Sequence, residues 1–206
     1  MTTNKTNLST SLKDLMFFTK LRSLFWLKSA KDEWTPNLDN WWDDPFSVSG
    51  NINVGRNSKV QCSPPVQGCA KFNVDGTSKG EAAGCGGVLR LEDGTVRALF
   101  SGPVEGSGSD FAELTAIKTA LEVFAEAEWS EALHLVIETD SIVILNWLRE
   151  WQQRPWIWWQ ILLEIDRMAK SIGNVQFVHV SKQVNTLAVC LAKEGLAPSL
   201  LFKVWW

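Results

Sequence analysis

A strong charge of either sign is missing from this 206-residue chain: 20 Lys and Arg face 23 Asp and Glu, for a formal −3. With no basic field over the whole molecule, binding to nucleic acid would have to rest on a local basic or aromatic patch. Cysteines are few. Cys62, Cys69, Cys85 and Cys190 form no CxxC pair and have only two histidines for company. That argues against a structural zinc site and fits a reducing compartment better than a disulfide framework. No apolar run approaches the ~20 residues of a membrane span, so no membrane partner is expected. Acids are absent before Asp14, and the Ser/Thr-rich start has a weak likeness to an organelle transit peptide. A basic amphipathic helix heading a linker is the plainer reading.

Sustained periodicity is also lacking over residues 1–65, where Gly, Pro, Asn and Ser dominate after one candidate helix near 10–30. This reads as a poorly structured extension ending at Pro64-Pro65. Its apolar surface is too small to offset the entropy of ordering, so mobility is expected through about residue 60.

What is present is a 45% hydrophobic composition, enough for one domain with a proper core. Signals sharpen from residue 69. "KFNVDG" reads as a strand over 70–75 that breaks at Asp75-Gly76, a common turn pair. Two further strands flank the hairpin signal Glu92-Asp93-Gly94-Thr95. Leu114, Ile117, Leu121 and Phe124 then recur at helical spacing behind Asp110 and Glu113, which resemble a capping box. "ALHLVIETD" (132–140) is a short apolar run suited to a strand covered on both faces. A helix opens at Asp140-Ser141, a second follows Pro155 and stops at Gly173, "NVQFVHV" is a strand, and "NTLAVCLAKEGL" is a last helix. This order predicts an α/β fold with a five-stranded mixed sheet, the opening strand central, and helices on both faces. The strand at 132–140 should lie parallel to the opening one. Residues 198–206 read as a tail.

That arrangement puts three acids at one sheet edge: Asp75 and Asp140 ending adjacent parallel strands, and Glu113 in the first turn of a helix. Each has a bland explanation, as turn former, helix cap or capping-box member. Together they are harder to dismiss, because crowded carboxylates repel unless a cation neutralises them. Hard oxygen ligands suit Mg²⁺ or Mn²⁺, the ions of phosphodiester cleavage.

The stretches "FNVDGTSKGEAAGCGGVLR", "AELTAI", "IETDS" and "HVSKQVNTLAVCLAKEG" resemble the ribonuclease H-like domain of plant non-LTR retrotransposons and their domesticated relatives. The likeness covers about residues 69–197, with 38 positions from Asp75 to Glu113 and 27 from Glu113 to Asp140. It implies a ribonuclease H-like fold and an endonuclease cutting the RNA strand of an RNA/DNA hybrid by two-metal-ion hydrolysis. Asp75, Glu113 and Asp140 match the family's metal-binding acids. His179 matches a histidine tied to product release, Asn185 an asparagine near the hybrid, and Lys182 the basic residue of that loop. Gly76 joins the expected substrate contacts.

One departure stands out: Val189 occupies the place of the family's fourth acid. An apolar side chain cannot hold a metal. Val189, together with an acidic balance of 12 Lys and Arg against 17 Asp and Glu over 70–206, keeps open a second reading, a catalytically inactive nucleic-acid-binding module.

The segment "NWLREWQQRPWIWWQ" interleaves five of the twelve tryptophans with Arg149 and Arg154. Such residues can stack on bases and pair with phosphates. Most of these tryptophans are better explained without a substrate, some as filling of the helix–sheet core and others as drift in a decayed copy, while Arg149 and Arg154 remain candidate backbone contacts. The expected protein is a monomer working in the nucleus or cytoplasm.

Overall fold

The computed structural model describes residues 63–106, 108–127, 133–196 and 200–205. Apart from 63–65, the expected extension, its helix and its mobility lie outside the described residues.

Strand β1 (Cys69–Lys79) does not stop at Asp75-Gly76. It pairs without a break with β2 (Ala82–Arg90), from Lys71↔Arg90 to Lys79↔Ala82, and the chain reverses at Gly80, whose φ is +63°. Cross-strand pairing has overridden the local turn preference of Asp-Gly. The second hairpin falls where the sequence puts it. Gly94 adopts a φ of +78°, Asp93 Oδ1 accepts from the Thr95 N–H at 2.9 Å, and β3 follows (Val96–Val104).

After β3 come α1 (Ser109–Ala125), β4 (His134–Thr139) and α2 (Ile142–Arg149). Two short 3₁₀ turns then lead into α3 (Trp159–Ile172), β5 (Val175–His179), α4 (Thr186–Glu194) and β6 (Phe202–Trp205). The sheet is mixed, with order β5-β4-β1-β2-β3-β6 and β1 parallel to β4. It has six strands, not five, because part of the expected tail is β6, antiparallel to β3 through Leu99↔Val204. Four residues are too few to carry a readable alternation. The edge of β3 supplies the missing instruction, since an unpaired edge is a template for another strand.

The main core lies between the sheet and α1, α2 and α3. Phe72, Val74, Leu135 and Ile137 meet Leu114, Ile117, Leu121, Phe124, Ile144, Leu162 and Ile165. Each such side chain contributes roughly 1.5–3 kcal/mol by leaving water. Helix α4 covers the opposite face at very short range. A Cβ on Gly86 would lie 2.4 Å from the Ala192 nitrogen, and Ser101 Oγ donates to the Leu191 carbonyl. The tryptophans divide. Trp147 and Trp158 pack on the core, Trp158 stacks on Phe111, and Trp156 stands 85% exposed.

Candidate active site

The parallel ladder between β1 and β4 ends at Asn73↔Glu138, and β1 continues alone beside β2. Asp75 sits just past that last rung. Its register partner is Gly86, so its side chain stands on the α4 face. Glu113 arrives from α1, and Gly76 is what lets it approach. A Cβ there would fall 2.1 Å from the Glu113 nitrogen, so only glycine admits the helix backbone. Asp140 follows β4 directly.

The bland explanations of these acids do not fit the local geometry. Helix α1 starts after Gly108 with no side-chain cap, so Asp110 and Glu113 make no capping box. The Ser141 hydroxyl, not Asp140, accepts from the Ile144 N–H to cap α2. All three carboxylates turn to each other instead, with one oxygen from each lying within 4.8 Å of the others.

Crowding and burial change their acidity. Burial first, then the Asp140 charge and hydrogen bond, raise Asp75 to about 7, while Lys182 and Lys193 pull the other way. Burial followed by the charges of Asp75 and Asp140 pushes Glu113 to about 9, against hydrogen bonds from the Gly76 backbone and the Thr139 hydroxyl. Such a cluster holds protons that a divalent cation would displace. Oxygens about 2.1 Å from one Mg²⁺ sit at most about 4.2 Å apart, close to the spread seen here. The donor set fits Mg²⁺ or Mn²⁺, with Asp75, Glu113 and Asp140 as ligands.

The other expected residues scatter in role. His179 is exposed at the end of β5 and pairs in register with Thr139, next to Asp140. Asn185 is 1% exposed and precedes α4; its Nδ2 donates to the Val74 carbonyl at 2.8 Å, while its Oδ1 is buried without a partner. Lys182 is exposed and near enough to act on Asp75. Val189 is 8% exposed in α4.

Gly76 serves helix–strand contact. Arg149 donates to the Phe177 carbonyl, tying α2 to β5. Arg154 is a structural clamp: it pairs with both oxygens of Asp166 and donates to the Trp147 and Leu148 carbonyls at the end of α2. Sequence reading does not single out Thr139 or Lys193. The signal for Lys193 was its place one helical turn beyond Val189.

The fold is ribonuclease H-like, as its likeness to solved structures shows. One similar solved structure is RNase H1 from the halophilic archaeon Halobacterium salinarum, 23% identical over 63% of this chain and 98% of that one, with a TM-score of 0.58. Another is LC11-RNase H1 in complex with an RNA/DNA hybrid, isolated from compost, at 20% identity, 62% and 96% coverage and a TM-score of 0.57. A third is the foamy viral protease-reverse transcriptase with an RNA/DNA hybrid, 19% identical over 70% of this chain and 22% of that one, with a TM-score of 0.55. No curated protein sequence matches. The family described as reverse transcriptase-like matches residues 73–195, and the chain belongs to it.

Proposed function

We propose that the protein is a metal-dependent ribonuclease that cuts the RNA strand of an RNA/DNA hybrid. The observation that carries this reading is the convergence of Asp75, Glu113 and Asp140, from three separate elements, to within 4.8 Å. A bound Mg²⁺ or Mn²⁺ would supply Lewis-acid stabilisation of the charge that develops on the phosphate. The chain's own groups do the rest. Asp75, Glu113 and Asp140 would hold the metal. Lys182, exposed on the loop before α4, meets the phosphate backbone, and His179 on the open rim moves a proton as product leaves. Recognition of RNA over DNA rests on 2′-hydroxyls in the minor groove.

Incubation of the full chain with labelled hybrid in Mg²⁺ and, separately, Mn²⁺ tests this. Cleavage confined to the RNA strand and lost in Asp75→Asn is the expected result. Val189 favours the second reading, an inactive nucleic-acid-binding module. Hybrid binding without cleavage in either metal would establish it. The quoted motifs also fit descent from a plant retroelement, and we propose a monomer that works in the nucleus or cytoplasm.

A further inference from the structure

We infer that the buried group formed by Lys71, Asn73, Glu138 and Arg90 is a register lock between β1 and β4, and that Asn73 and Glu138 are positioning residues for Asp75 and Asp140. This deepens the nuclease reading above and rests on it for the role of those two acids.

The four side chains lie on the α4 face of the sheet, the face of Asp75. Lys71, Asn73 and Glu138 are 5%, 2% and 8% exposed. Glu138 joins the others: its Oε1 pairs with Lys71 Nζ at 3.2 Å, and its Oε2 accepts from Asn73 Nδ2 at 2.7 Å. Arg90 Nη1 completes the group by donating to Asn73 Oδ1 at 3.0 Å. Asn73 and Glu138 face each other in the last rung of the parallel ladder. Asp75 lies two residues beyond one of them, and Asp140 two residues beyond the other.

Apolar patterning does not fix that rung. The opposite face of the same strands sets Ala70, Phe72 and Val74 against Leu135 and Ile137, all buried. A slip of two residues would keep every side chain on its own face and leave apolar groups beside apolar groups. At roughly 3.3 Å per residue it would also shift Asp140 along β1 by about 6.6 Å. The acids have one oxygen each within 4.8 Å of the others, so the cluster would be lost. Every such slip breaks the bond between Asn73 and Glu138 and strands buried polar groups without partners. Setting register is the best-attested use of a buried ionic group, which otherwise adds little to stability.

Urea unfolding, backbone hydrogen exchange and Mn²⁺ affinity of the full chain test the inference in two variants. Lys71→Met with Asn73→Val and Glu138→Leu removes the group while leaving net charge unaltered, since one cation and one anion go together. Glu138→Gln removes a charge but keeps an acceptor for Asn73. The triple variant should unfold near the wild-type urea concentration, because apolar replacement of a buried ionic group is often neutral. Its Mn²⁺ affinity should nevertheless fall about tenfold or more, and its β4 amides should exchange faster relative to those of β2 and β3. Glu138→Gln should bind Mn²⁺ within about threefold of the wild type, the effect of one screened charge. Equal weakening in both variants would overturn the inference in favour of a charge effect. Wild-type affinity and exchange in the triple variant would overturn it too. If the triple variant does not fold, Asn73→Ala, which alters no charge, should show the same faster exchange and weaker binding, and wild-type values there would sink the idea. A wild type that binds no Mn²⁺ would remove the nuclease reading, and the exchange rates alone would then decide the inference.

Discussion

Gly76 decides whether Glu113 can join the other two acids. A methyl group at that position would collide with the α1 backbone rather than with a pliable side chain. Gly76→Ala should therefore cost at least about 2 kcal/mol in urea unfolding. It should also weaken Mn²⁺ binding, because relief comes only by moving α1 and Glu113 away from β1. A variant with unchanged metal affinity would show that Glu113 does not depend on this contact. Arg154 offers the opposite lesson. Its guanidinium is spent on Asp166 and on two carbonyls at the end of α2. Arg154→Met should cost about 2 kcal/mol of stability, since buried carbonyls lose a charged donor. Hybrid affinity, measured at a temperature where the variant is folded, should stay near the wild-type value.

Among the elements, β6 is the one that a reading of hydrophobic pattern does not find. It covers the outer edge of β3, Leu201 packs on Gly102, and Lys203 pairs with Glu122 of α1 at 3.0 Å. Truncation after residue 200 should leave β3 as an open edge, with lower thermal stability and concentration-dependent association. Light scattering across a dilution series reads that association directly, and a monodisperse truncated chain would contradict it. Helix α4 sits at the other extreme. The glycines at 84 and 86 admit its backbone almost into contact with the sheet, and this fixes which residues of α4 border the acids.

At the scale of the whole molecule, the acid cluster links stability to pH. Asp75 and Glu113 have folded-state values of about 7 and about 9, above the ordinary 3.8 and 4.5. A carboxyl raised in this way stabilises the fold below its unfolded value, and the contribution is lost as pH rises toward the folded value. Metal-free protein in a chelator should therefore melt at steadily lower temperature between about pH 5 and pH 9. Mg²⁺ should restore much of the loss at the alkaline end, because binding to the folded state alone stabilises it. A melting temperature flat across that range would mean that the carboxylates do not interact as the geometry requires.

The sequence by itself determined the α/β order and the helical face of Leu114, Ile117, Leu121 and Phe124. Through motif spacing it also pointed to Asp75, Glu113 and Asp140. These are local or ordered signals that one chain can carry. Tertiary structure alone decided that β1 runs on through Asp75-Gly76, that residues 202–205 become a strand, and that Arg154 turns inward to Asp166. It also decided that Lys193 acts on Asp75. In each case the partner lies outside the segment itself, and the energy that fixes the outcome belongs to the pair rather than to either segment.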